Sequence, residues 1–279
     1  MNKKKIDPES SPWAPFGIQL RAFREAKDLL QEELAPLIGC SPSHLSYVEL
    51  AHRPPSRKLA ELSDIALDTG GTMLLMWYQL KNAAILEGFP EYARYEALAE
   101  EMRIFEINVV AGLLQTRAYA TAIQMGSVGL GLSSQKLAEE RIEFRLARQQ
   151  VLVRTPPPLV HVVLDESCLR RIVGGRDVMV EQLLHLEQLA TRPNVIIQVA
   201  PFTLGENRPF THMAYLLTMP NRKVLAYGEI ESRGYIDRDT KSVAAFVKSY
   251  DRLAVEALGQ SESLAFIRAV RRDLEWMST

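Results

Sequence analysis

One segment constrains this chain more than any other: Gln31-Glu32-Glu33-Leu34-Ala35-Pro36-Leu37-Ile38-Gly39-Cys40-Ser41-Pro42-Ser43-His44-Leu45-Ser46-Tyr47-Val48-Glu49. Leu34, Ala35, Ile38, Leu45 and Val48 can share one interior only if two short helices meet at a sharp corner. Gly39 sits where that corner needs a positive φ, which costs glycine nothing sterically. Ser41 is a good N-cap for the second helix, and Pro42 follows at the first helical position, where its missing N–H is not needed. That helix buries Leu45 and Val48 and leaves Ser43, His44, Ser46 and Tyr47 outward. Small polar groups on an exposed helix are what a reader of the major groove uses against base edges. The corner alone also suits helical proteins that never meet nucleic acid, and His44 or Tyr47 taken singly is an ordinary surface side chain.

The surroundings extend the pattern. From Phe16 to about Lys81 the sequence reads as a run of short helices with no alternating β-branched segment. Glu87-Gly88-Phe89-Pro90 breaks it. The expected organisation is a tail at 1–12, an all-α domain of five short helices at 13–85, a linker at 86–91 and an α+β domain at 92–279 with a partly antiparallel sheet. Lys3-Lys4-Lys5 reads as part of a solvated tail, with a DNA-gripping arm as the sharper alternative. Lys and Arg number 33 and Asp and Glu 34, so the net charge is 33 − 34 = −1 and announces neither nucleic acid nor membrane. Within residues 1–60 the same count is 9 to 7. One copy would then neutralise few phosphates, and a dimer is expected. The apolar stretch ending at Tyr78 falls short of the roughly 18–20 residues a spanning helix needs. No apolar core follows the charged start, so a secretory signal is not expected. Cys40 and Cys168 cannot make a disulfide framework. A cytoplasmic protein with reduced thiols is expected.

The stretch from Phe16-Gly17-Ile18-Gln19-Leu20-Arg21, through Gln31-Glu32-Glu33-Leu34-Ala35, to Arg53-Pro54-Pro55-Ser56 resembles the Cro/cI-type (XRE) helix-turn-helix regulators. The resemblance implies that Gln31 contacts a phosphate and buttresses the recognition helix. It places Ser41, Ser43, His44, Ser46 and Tyr47 at the DNA and Arg53 in a loop that meets the backbone. It also implies a structural ion pair between Arg24 and Glu49. The chain departs from the pattern at Leu30, where a Ser or Thr cap is usual, and at Pro36, inside helix two. A third departure is Leu50-Ala51-His52, where a Gly and another basic residue are usual.

Beyond the break, Thr116 caps a helix to Met125, Gly126–Gly131 reads as a flexible loop, and a charged helix runs from Ser134 to Arg154. Strand-like runs lie at 159–164, 194–200, 213–219 and 223–227, with helices at 176–191, 239–257 and 261–277. Glu139, Glu140 and Glu143 interleave with Arg141, Arg145 and Arg148, which reads as a solvated, salt-bridged face. A partner-binding face is the alternative. Leu264, Ile267, Val270 and Leu274 recur at helical spacing and read as core, with a dimer surface as the alternative.

Ile104-Phe105-Glu106-Ile107-Asn108-Val109-Val110-Ala111-Gly112-Leu113-Leu114-Gln115-Thr116, Arg148-Gln149-Gln150, Val162-Val163-Leu164-Asp165-Glu166, Val173-Gly174-Gly175 and Arg192–Phe202 resemble the C-terminal domain of actinobacterial antitoxin-like regulators. The resemblance implies a DNA-binding protein that also binds a small protein encoded next to it. It carries no catalytic residues. His161, Val163 and Asp165 would share one face of a strand, but a hydrolytic or metal site would need more ligands, such as His185 or His212. Gly174-Gly175 reads as a turn, not a phosphate loop. The expectation is therefore a dimeric regulator of double-stranded operator DNA, with no catalytic residues, metal or cofactor and no membrane partner. The rival is a metabolite sensor. An apolar cavity with a few convergent polar groups in the C-terminal domain would favour it, and an exposed apolar groove would favour a protein partner.

Overall fold

The computed structural model describes residues 11, 13–81, 89–230 and 233–276. The expected tail, Lys3-Lys4-Lys5 included, lies outside them apart from Ser11. The chain divides into two compact units, one of residues 1–85 with 153–156 and one of the remainder.

The first unit holds five helices: α1 Ala14–Ala26, α2 Gln31–Leu37, α3 Pro42–Glu49, α4 Arg57–Leu67 and α5 Thr72–Lys81. Phe16, Leu20, Leu34, Ile38, Leu45, Val48, Leu59 and Met73 close one core. At about 1.5–3 kcal/mol per buried large side chain, that core outweighs the weak intrinsic stability of helices only two or three turns long. Asp64 joins the last two helices: its Oδ1 accepts from the Met73 N–H and its Oδ2 from the Leu74 N–H, both at 2.8 Å. It thereby caps the start of α5 from within α4. Burial pushes the Asp64 carboxyl up from its ordinary value.

The second unit is α+β. It contains α6 Phe89–Leu98, β1 Glu101–Glu106, α7 Arg117–Gly129, α8 Gln135–Arg148, β2 Leu159–Asp165, α9 Glu166–Arg170, α10 Arg176–Leu189, β3 Val195–Ala200, β4 Ala214–Thr218, β5 Val224–Ile230, β6 Arg233–Asp237, α11 Thr240–Glu256 and α12 Gln260–Trp276. The strand order is β3-β2-β1-β4-β5-β6. β1, β2 and β3 run parallel, as helical crossovers require, and β4, β5 and β6 follow as an antiparallel meander. The period-2 alternation of strands sorts the side chains between two cores. Met102, Ile104, Val160, Val162, Leu164 and Ile197 pack with α7, α10 and α12. Phe105, Val163, Leu216 and Ala226 pack with Val243, Tyr250 and Leu253 of α11.

Several elements differ from the sequence expectation. Residues 89–91 of the expected linker open α6, while 82–88 lie outside the described residues. α7 continues through Gly126 and Gly129, so Gly126–Gly131 is not the loop; the chain turns at Gly131, with φ +70°. Packing of α7 on α8 outweighs about 1 kcal/mol of lost propensity per glycine. α8 ends at Arg148, short of residue 154. β1 and β6 were not legible as strands.

The face of α8 is also not simply solvated. Arg148 is buried and donates to Glu96 from Nε (2.7 Å) and Nη2 (2.6 Å), across 52 residues of sequence. Burial works against the Arg148 charge, but Glu96 outweighs burial and its pKa is raised. On α12, Ile267, Val270 and Leu274 are buried in the core of this unit, so that stripe is not a free surface.

Candidate nucleic-acid interface

The corner between α2 and α3 is built from local chemistry. Gly39 takes φ +68°. Around it the Cys40 N–H donates to the Ala35 carbonyl (2.9 Å) and the Gly39 N–H to the Pro36 carbonyl (3.2 Å), the paired bonds of a Schellman turn. Pro36 is tolerated because it lies in the last turn of a seven-residue helix, where only the Glu32 carbonyl loses its partner. Leu30 cannot cap α2 with its side chain. Glu33 supplies half of a capping box instead, its Oε2 accepting from the Leu30 N–H at 2.7 Å. Ser41 caps α3 by accepting from the His44 N–H at 3.2 Å, with Pro42 next in the chain.

α3 is then clamped from behind. Glu49 at its last turn is 1% exposed and Arg24 of α1 is 7% exposed. Arg24 Nε donates to Glu49 Oε1 at 2.6 Å and Nη2 to Oε2 at 2.8 Å, a bidentate fork. Arg24 Nη1 also donates to the Leu29 carbonyl at 2.8 Å, and Gln31 Nε2 donates to Glu49 Oε2 at 2.7 Å. The hydrogen bonds to Glu49 raise the Arg24 pKa further, against burial. One carboxylate thus ties the end of α3 to α1 and to the start of α2.

Two further contacts, unforeseen from the sequence, set the pose of α3. At Gly17 a Cβ would lie 2.4 Å from the Val48 carbonyl oxygen and 2.8 Å from that of Glu49, so α1 meets α3 backbone to backbone. Past α3, Ala51 adopts φ +59° where glycine would be ordinary. The His52 N–H donates to the Tyr47 carbonyl (2.9 Å) and the Ala51 N–H to the Val48 carbonyl (3.0 Å), a second Schellman turn with a strained residue at its apex. Trp77 Nε1 donates to the Pro55 carbonyl at 3.0 Å and so anchors the following loop.

What this frame presents is a polar surface. Ser41, Ser43, Tyr47 and Arg53 are exposed; Gln31, His44 and Ser46 are half-buried. Arg53 Nη1 lies 3.2 Å from His44 Nδ1. Since a guanidinium only donates, Nδ1 accepts and Nε2 carries the imidazole proton. Tyr47 meets His52 edge-on, with centroids 6.3 Å apart. The surface therefore offers hydroxyls, one imidazole N–H and one guanidinium, chemistry suited to base edges and phosphates.

A family model described as a helix-turn-helix domain matches residues 15–74, which span α1 to α4 and the first residues of α5. A second, described as a domain of unknown function (DUF5753), matches residues 89–269. The chain belongs to the DUF5753 family. It carries ahead of that domain a helix-turn-helix domain, the mark of a DNA-binding regulator. No curated protein and no solved structure matches the chain.

Within the DUF5753 domain the carboxylates and histidines singled out by sequence are dispersed. His161 Nε2 lies 2.6 Å from Gln198 Oε1 and its ring packs edge-on against Tyr250. Burial pulls its pKa down. Asp165 caps α9 through the Ser167 N–H and receives Arg208 Nη1 at 2.6 Å. Glu166 accepts from the Phe202 N–H at 2.8 Å and from Arg170. Among the described residues no three His, Cys, Asp or Glu could hold a metal ion, and no helix is long and apolar enough to cross a membrane. Cys40 and Cys168 are free thiols.

Proposed function

We propose that the chain is a sequence-specific transcriptional regulator that binds operator DNA as a dimer. Its DUF5753 domain dimerises, binds a small partner protein encoded next to it in antitoxin-like fashion, or does both. The observation that carries the reading is α3 held by Arg24, Glu49 and Gln31 with Ser43, His44, Ser46 and Tyr47 on its polar side. In this reading α3 enters the major groove. Ser43, Ser46 and Tyr47 meet base edges, and His44 offers Nε2–H to an acceptor such as a purine N7. Gln31, Ser41 and Arg53 meet phosphates, Ser41 through the hydroxyl proton that its capping role leaves free. The domain acts through binding and carries no catalytic chemistry, and the protein works in the cytoplasm.

Selection of bound sequences from a random duplex library tests the reading. Ser43→Ala or Tyr47→Ala should change which sequences are enriched. Arg53→Ala should weaken all of them alike and reduce the salt slope by about one. Unchanged preference in both α3 variants would remove those side chains from the base contacts. Sedimentation of the full chain tests the dimer, whose two α3 helices should lie roughly 34–36 Å apart, one DNA turn. A chain that stays monomeric on its operator would refute the dimeric mechanism.

A second reading, a regulator that senses a small molecule, is supported by a groove of about 680 Å³ in the DUF5753 domain. That volume lies within the roughly 300–1,000 Å³ of small-molecule sites.

A further inference from the structure

Among the described residues, α11 packs over the second face of the six-stranded sheet, with Leu204 and Phe210 beside it, whereas α7, α10 and α12 share the first. The groove opens beside α11, where β5 begins and β6 ends. Thr240, Val243, Ala244, Val247, Lys248 and Asp251 line it at helical spacing, along about 16 Å of α11. Val224 of β5 faces them from the sheet and, with Val243 and Val247, makes an apolar floor.

The rim of this groove is cationic, and the charges are uncompensated in a specific way. Arg238 is paired with Glu91 and Asp251 with Arg103, at 2.5 Å and 3.2 Å. The first pair cancels; Arg103 is also held by Glu101 at 3.0 Å, so the second group keeps one negative charge. Arg222, Lys223 and Lys248 also line the groove and are exposed, and among the described residues none has a carboxylate partner. Arg222 is held at φ +64° by a tight turn in which its N–H donates to the Met219 carbonyl at 2.8 Å. A chain of net charge −1 thus gathers Arg222, Lys223 and Lys248 around one apolar floor.

We infer that this groove binds a small anionic amphiphile, an aliphatic or aromatic body carrying a carboxylate or similar acidic head. The body lies on Val224, Val243 and Val247, and the head meets Arg222, Lys223 and Lys248. The inference rests on the small-molecule reading above and gives its ligand a chemistry.

Titration calorimetry of the full chain with sodium decanoate, sodium butyrate and decyltrimethylammonium as probes tests it. Decanoate should bind one per chain. Butyrate should bind at least about tenfold more weakly, because it buries fewer methylenes. Decyltrimethylammonium should also bind at least about tenfold more weakly, because its charge meets like charge. The Lys223→Gln/Lys248→Gln variant changes only exposed side chains and should fold; it should weaken decanoate by about tenfold. No decanoate binding, equal binding of the ammonium probe, or an unaffected double variant would overturn the site. Affinity for the selected operator, measured with and without decanoate, addresses the sensing reading separately. Unchanged operator affinity alongside intact decanoate binding would overturn sensing and leave the site standing.

Discussion

Replacing Arg24 by Met leaves the Glu49 carboxylate 1% exposed with one remaining side-chain donor, Gln31 at 2.7 Å. Three donated bonds vanish: two to Glu49 and one to the Leu29 carbonyl. A surface pair would cost about 0–1 kcal/mol, but breaking a buried pair costs about 3–5 kcal/mol because an uncompensated charge stays inside. The expectation for Arg24→Met is the larger figure, a large part of the roughly 5–15 kcal/mol that holds a typical domain together. Arg24→Met/Glu49→Leu removes both charges, and apolar replacement of a buried pair is often nearly neutral. The double variant should therefore be more stable than Arg24→Met, with a coupling of about 2–3 kcal/mol. Hydrogen exchange on the full chain reads this locally. Amides of α1 and α3 should lose about two to nearly four powers of ten in protection in the single variant, at about 1.4 kcal/mol per tenfold. They should regain much of it in the double. A single-variant loss under about 1 kcal/mol, or a double variant worse than the two singles combined, would refute the shielded-pair argument.

Other expectations follow from strain, close approach and burial. Ala51→Gly relieves a left-handed alanine and should stabilise the first unit by about 0.5–1 kcal/mol, after allowing for the more flexible unfolded chain; chemical denaturation that shows a loss would place the strain elsewhere. Gly17→Ala puts a methyl 2.4 Å from the Val48 carbonyl oxygen and should cost about 1–3 kcal/mol despite alanine's better helix propensity. It should also weaken operator binding by displacing α3, and unchanged stability and affinity would argue against the backbone contact. Burial raises the Glu106 carboxyl to about 7, against the hydrogen bond from Tyr215. The folded state therefore holds a proton that the unfolded state gives up near pH 4.5. Stability from this group is complete below about pH 4.5 and is lost as pH rises through about 7, by about 3 kcal/mol in all. Glu106→Gln should flatten the fall in denaturation midpoint of the second unit between those values. A fall as steep as in the parent protein would exonerate Glu106.

The sequence by itself determined the helix-turn-helix, because its decisive signals act over a few residues. Gly39 sets a left-handed turn, Ser41 and Pro42 start α3, and the spacing of Leu34, Ile38, Leu45 and Val48 chooses the buried side. Arg24 and Glu49 were legible only through resemblance, since nothing local pairs residues 25 positions apart. Short runs of apolar residues likewise located β2, β3, β4 and β5. Tertiary structure decided the rest. β1 was hidden because Met102, Ile104 and Phe105 stand among Glu101, Arg103 and Glu106 and make no apolar run, and pairing with β2 and β4 is what makes them a strand. α7 runs through two glycines because its packing on α8 outweighs their propensity. Arg148 turns inward because its partner Glu96 arrives on α6; the local pattern of Glu and Arg on α8 is the same whether the side chain faces water or core. The cationic groove belongs to the same class. Arg222 and Lys223 precede β5, Arg238 follows β6 and Lys248 rides on α11, and only the pairing of β4 with β5 and β5 with β6 beneath α11 gathers them around one apolar floor.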